Sequence, residues 1–144
     1  MFTIGLAITI NKPVDEVFTF VSDMLNGPAW LGTTKSEKVT DGPIGVGTRY
    51  DQQMEIMGKN ETLKFEYLEY EPPTYFSYKY TSSFFTSEDE YELEAVDSGT
   101  RLVYKAQMEF SGMARFGSGF IEKGVKKQQT DNLKKLKAVL ESAP

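Results

Sequence analysis

The chain has 144 residues, a formal net charge of -5, no cysteine and no histidine. It is long enough to bury a core without covalent staples and reads as a single domain over 1–144. Disulfides, thiolate nucleophiles, sulfur-ligated metals and imidazole bases are excluded, so catalysis would fall to Asp, Glu, Lys, Arg, Tyr, Ser or Thr, and neither metal nor cofactor is expected. The acid excess argues against nucleic-acid binding.

The opening MFTIGLAITINKP has no basic leader and no small-residue cleavage site, and no run approaches the roughly 20 apolar residues of a membrane span. A cytoplasmic protein is expected. Phe2, Ile4, Leu6, Ile8 and Ile10 alternate with Thr3, Gly5, Ala7 and Thr9, which predicts a strand. In NKPVDEVFTFVSDM the period changes. Pro13 suits a first helical turn, Asp15 and Glu16 suit the positive helix start, and Val14, Val17, Phe20, Val21 and Met24 form an apolar stripe. A second short helix is predicted at Pro28 to Leu31, with Gly27-Pro28 breaking the first.

From Gly32 to Gly112 the sequence predicts five or six strands, punctuated by DGPIGVG (41–47), GKNE (58–61), EPPT (71–74), SSFFTS (82–87) and DSG (97–99). Connections this short join antiparallel neighbours. GPIGVGTRY lacks the Lys-Ser/Thr of a phosphate-binding loop and precedes a strand, so it reads as a turn. The last segment, 118–142, predicts a helix of about 37 Å. Ile121, Val125, Asn132, Leu136 and Val139 share one side, Gln128 and Leu140 flank it, and Lys123, Lys126, Lys127, Lys134 and Lys137 occupy the solvated back.

Strand parity gives one inner face: Tyr50, Gln52, Met54, Ile56; Leu63, Phe65, Tyr67; Phe76, Tyr78, Tyr80; Tyr91, Leu93, Ala95; and Leu102, Tyr104, Ala106, Met108, Phe110. The opposite face is charged, so the sheet is wet on one side and the C-terminal helix is its natural cover. The predicted architecture is α+β: a curved antiparallel sheet around a long C-terminal helix, with two short helices after the first strand. Six of the eight tyrosines fall inside. A dry core favours Leu, Ile and Val, whereas rings with polar tips build small-molecule pockets.

The order of elements, carried by ITINKPVDEVFTFVSDMLNGPAWL, DGPIGVGTRY, EYEPPTYFSYKY and DSGTRLVYKAQMEF with the final helix, resembles the helix-grip fold of the START and birch-pollen-allergen superfamily (SRPBCC). It is similar in particular to the polyketide cyclase/dehydrase-like branch. The resemblance implies a cavity between sheet and C-terminal helix, with its mouth near the helix start, where Gly117, Gly119 and Gly124 leave room. Members bind lipids, hormones, quinones or polyketides, act as cyclases, or activate chaperones.

The expected function is binding of a small hydrophobic ligand, aromatic, polyketide-like or lipid-like. Alternatives are a cyclase or dehydratase using a cavity carboxylate or tyrosine as base, and a chaperone-activator-like interaction module. The ligand-binding candidates are Trp30, Tyr50, Gln52, Met54, Phe65, Tyr67, Phe76, Tyr78, Tyr80, Tyr91, Tyr104, Met108, Phe120, Gly124, Gln128 and Asn132. The catalytic candidates are Asp89 and Glu69, whose parity places them inside, and Tyr91. Arg115 is a candidate for meeting an anionic ligand end. Phe84 and Phe85, in a polar turn, are candidates for a lid or for a contact with a second copy of the chain, and Phe116 and Phe120 are further aromatics outside the strands.

Overall fold

The computed structural model describes residues 1–56, 58–112 and 118–142. Strand β1 (Phe2–Ile10) is followed by α1 (Val14–Val21), a single 3-10 turn (Met24–Asn26) and α2 (Gly27–Trp30). Strands β2 (Lys35–Lys38), β3 (Arg49–Ile56), β4 (Lys59–Glu71), β5 (Tyr75–Thr81), β6 (Phe85–Val96) and β7 (Gly99–Phe110) come next, then helix α3 (Ser118–Ser142). All seven strands join one sheet in the order β1-β7-β6-β5-β4-β3-β2. Every neighbouring pair is antiparallel, as the short connections require for the hairpins from β3 to β7. Among the described residues no helix is long and apolar enough to cross a membrane.

The predicted inner parity holds along most of the sheet, and the six tyrosines assigned to it are buried. Helix α3 lies over that face with Asn132, Leu133, Leu136 and Leu140 buried, and it packs against β1 and α2. Its far end is fastened to β1 through polar atoms. Lys137 Nζ donates to the Thr9 carbonyl at 2.6 Å, and the Asn11 amide donates to Glu141 Oε2 at 2.7 Å. This is the helix-grip arrangement.

Four details of the sequence reading need correction. Helix α1 stops at Val21, well before Gly27-Pro28, because Asp23 leaves the helix and its side chain accepts from the Leu25 amide at 3.0 Å. Phe18, not Phe20, is fully buried on it, completing the spacing of Val14, Val17 and Val21. Ala95 is exposed, close to the hairpin turn where β6 passes into β7.

The fourth correction concerns β4. Its register against β5 shifts between Tyr67 and Glu69, so Leu68 is an extra residue and the parity reverses beyond it. Tyr70 therefore joins Tyr67 on the inner side, 6.3 Å away ring to ring, and Glu69 turns to the outer face.

Candidate functional site

The inner face is divided by what covers it. Over one part lies the α1 region, and the rings there are packed solid: Phe18 meets Phe76 edge-on at 5.6 Å, and Phe76 stacks on Tyr91 at 4.5 Å with an interplanar angle of 3°. The hydroxyls behind this packing have protein partners. Tyr50 donates to Asp23 Oδ1 at 3.1 Å and Tyr67 donates to the Ser22 carbonyl. Gln52 accepts from Thr33 Oγ1 at 3.0 Å, and Trp30 lies edge-on to Tyr91 at 6.4 Å. Trp30 Nε1 and Gln52 Nε2 are the two buried side-chain atoms without a hydrogen-bond partner among the described residues.

A cavity of about 400 Å³ opens over the other part, between the sheet and the first half of α3. Met54 of β3, Phe65 of β4, Tyr78 and Tyr80 of β5, Asp89 of β6 and Met108 of β7 form its sheet side. Phe120, Gly124, Gln128 and Asn132 of α3 face them. Thus nine of the sixteen ligand-binding candidates line it, and Asp89 joins them. The other seven, Trp30, Tyr50, Gln52, Tyr67, Phe76, Tyr91 and Tyr104, are buried outside its wall. Parity put the six strand residues among them on the inner face, where the α1 region, Trp30 of α2 and neighbouring rings pack against them.

Sequence reasoning left Leu31, Gly32, Thr33, Glu55, Ile56, Leu63, Phe110, Ile121, Val125 and Gln129 off the candidate site, although all line the cavity. For Ile56, Leu63 and Phe110 the signal was present, since all three had inner parity near the ends of strands. Phe84 and Phe85 line it too, with their ring centroids 5.2 Å apart. Phe120 stands 87% exposed on the first turn of α3. Arg115, Phe116 and Gly117 lie outside the described residues, and Gly119 is not part of the wall.

Asn132 links the wall to α2. With its amide nitrogen turned toward carbonyls, it reaches those of Gln128 at 3.1 Å and Trp30 at 3.3 Å.

Asp89 is the chemically distinct member. It pairs across the sheet with Tyr78 on β5 and with Ala106 on β7, whose small side chain leaves the carboxyl room. Only 2% of it is exposed. Ser87 Oγ donates to Oδ1 at 2.5 Å and the Tyr104 hydroxyl donates to Oδ2 at 2.6 Å. Burial disfavours the charged form and pushes the carboxyl from 3.8 up to about 7, against the opposing pull of the two hydroxyl donors. The phenols of Tyr78, Tyr80, Tyr91 and Tyr104 are all pushed well above the usual tyrosine range, chiefly by burial and further by Asp89. They are hydrogen-bonding acids at neutral pH, not phenolates, which removes Tyr91 as a base.

Tyr78 and Tyr91 share one hydrogen bond of 2.8 Å in which either oxygen can donate. When Tyr91 donates, the Tyr78 proton is free for the cavity.

Glu69, the other carboxylate candidate, is corrected to the opposite face by the bulge. It is exposed there and accepts from the Tyr75 hydroxyl and Ser77 Oγ, both at 3.3 Å.

Among solved structures, the Zhui aromatase/cyclase from a Streptomyces species is similar at a TM-score of 0.81 and 16% identity, covering 96% of this chain and 93% of that one. A protein from Thermus thermophilus matches at 0.81 and 19%, covering 97% of each chain. Ara h 8.0201 matches at 0.75 and 19%, covering 98% of each. At these identities the likeness establishes the fold. No curated protein matches the sequence. The family model described as polyketide cyclase / dehydrase and lipid transport matches residues 1–141, and the chain belongs to that family.

Proposed function

We propose that the protein binds a small, largely apolar molecule, aromatic, polyketide-like or lipid-like, in the cavity between the sheet and α3. The observation that carries this reading is the cavity itself. Its volume of about 400 Å³ is walled by rings and methionines, with a few polar tips from Tyr78, Tyr80, Asp89, Gln128 and Asn132. That combination of apolar area and sparse orienting groups is how small-molecule sites are built. The aromatase/cyclase among the structural neighbours and the family's description as polyketide cyclase / dehydrase and lipid transport add support for an aromatic, polyketide-like or lipid-like guest. An open interior also fits this reading better than that of an interaction module, which needs only an outer surface.

Native mass spectrometry and thermal shift against a panel of aromatic, polyketide-like and lipid-like compounds test it. A one-to-one complex with a raised Tm is the expected result. Absence of any complex across the panel defeats the reading.

One observation favours a second, catalytic reading. Asp89, held near half-ionisation at neutral pH, is suited to taking a proton from a carbon next to a ketone while a Tyr78 or Tyr80 hydroxyl holds the enolate oxygen. Deuterium exchange at that carbon in a bound aromatic ketone tests this. Exchange that persists unchanged in Asp89→Asn removes the base.

A further inference from the structure

The charge around the cavity is one-sided. Among the described residues its wall carries two ionisable acids, Asp89 on the sheet side and Glu55 on β3, and neither lysine nor arginine. A second recess, on the other side of the sheet, also borders Asp89 and carries Glu69, Glu88, Glu90 and Lys105, but toward the cavity the groups facing Asp89 are neutral. They are Tyr78 and Tyr80 from β5, Ser87 and Tyr91 from its own strand, Tyr104 from β7, and Gln128 and Asn132 from α3 across the cavity.

Ser87 and Tyr104 each donate one hydrogen bond, which solvates the carboxylate without cancelling its charge. A buried carboxylate with hydroxyl partners and no counter-ion is the costly half of an ion pair. The walls beside it are aromatic: Phe65 and Tyr80 stack at 4.6 Å, and Phe65 meets Tyr78 edge-on at 5.1 Å. Ring faces attract cations, and they do so more strongly away from water.

Resting on the cavity reading above, we infer that the guest carries a protonated amine on its apolar body, with the ammonium set against Asp89 and the body against the Phe65 and Tyr80 rings. The same two acids disfavour anionic amphiphiles, so a fatty-acid carboxylate is the wrong head group for this wall. Asp89 is then the specificity-determining residue of the site.

The test uses three probes with one ring system and different head groups: 2-naphthylethylamine, 2-naphthaleneethanol and 2-naphthylacetate. Each is titrated calorimetrically into the full chain across the pH range in which Asp89 ionises. The expected result at alkaline pH is amine binding about tenfold tighter than alcohol, with the acetate weakest. Below neutrality the amine affinity falls by up to about tenfold per pH unit, because Asp89 is then protonated and the ion pair is lost. Asp89→Asn, checked for folding by its thermal transition, erases the advantage of amine over alcohol. If that variant does not fold, the pH profile of the unaltered chain decides alone.

Equal binding of amine and alcohol, an amine affinity that ignores pH, or tightest binding of the acetate overturns the inference and leaves the cavity reading standing. Binding of none of the three also overturns the inference, and the cavity reading falls with it only when the wider panel above yields no complex either.

Discussion

The Tyr104 hydroxyl donates to Asp89 Oδ2 across 2.6 Å inside the sheet's concave face, and Ser87 serves the other carboxyl oxygen. These two donors set how far burial can raise the acid. Tyr104→Phe removes one of them, so the carboxyl should titrate above its present value of about 7. Carboxyl carbon NMR against pH reads the shift directly. The same variant should lose about 1 to 3 kcal/mol of stability at alkaline pH, where the carboxylate is left short of a partner.

Asp89 also makes stability depend on pH in an unusual direction for a carboxylate. Its folded value of about 7 lies above the ordinary 3.8, so between those values the native state holds a proton that the unfolded chain has released. This contribution is fully present below the unfolded value and is lost as pH rises through 7. It amounts to something on the order of 4 kcal/mol. Other carboxylates act with the opposite sign, so the difference between the unaltered chain and Asp89→Asn in urea melts isolates it. That difference should shift in favour of Asp89→Asn from acid to alkaline pH, and a flat difference would contradict the assignment.

Gly27 is required by a close approach. A Cβ there would sit 2.1 Å from Gln52 Oε1 and 3.0 Å from Thr33 Oγ1. Gly27→Ala should therefore cost about 1 to 3 kcal/mol, as overpacked interiors do. Adding Gln52→Ala in that background should return part of the loss, and chemical denaturation of the four-member cycle measures the coupling.

Gly124 is the opposite case. A Cβ there meets no atom within 4 Å, because the residue borders the cavity on one turn of α3. Gly124→Ala should stabilise the chain by up to about 1 kcal/mol through helix propensity. Gly124→Phe should project a ring into the opening and weaken binding of every panel compound, while circular dichroism stays unchanged.

Glu69→Gln separates the two faces of the sheet. The residue is exposed and its partners are the hydroxyls of Tyr75 and Ser77, so stability should move by no more than about 0.5 kcal/mol. Calorimetric titration of a cavity ligand should give the same affinity before and after the change.

By itself the sequence determined the faces. Alternation in the strands and the helical spacing of α3 depend only on where successive side chains point, and that is local geometry. The inner placement of Tyr50, Tyr67, Tyr78, Tyr80, Tyr91 and Tyr104 and the lysine back of α3 followed from it. Parity fails where the chain gains a residue without any marker in composition, and so Leu68 reversed the assignment of Glu69.

The division of the inner face into packed and hollow parts was decided by the tertiary structure. Tyr91 and Tyr80 have the same parity and the same side-chain chemistry, yet one lies under Phe76 and Trp30 and the other borders the cavity. A void is the portion of an apolar face that no helix reaches, and helix placement depends on contacts between segments far apart in the chain. For the same reason Asp89 acquired its character only on folding, when β6 and β7 brought Ser87 and Tyr104 to a carboxyl already removed from water.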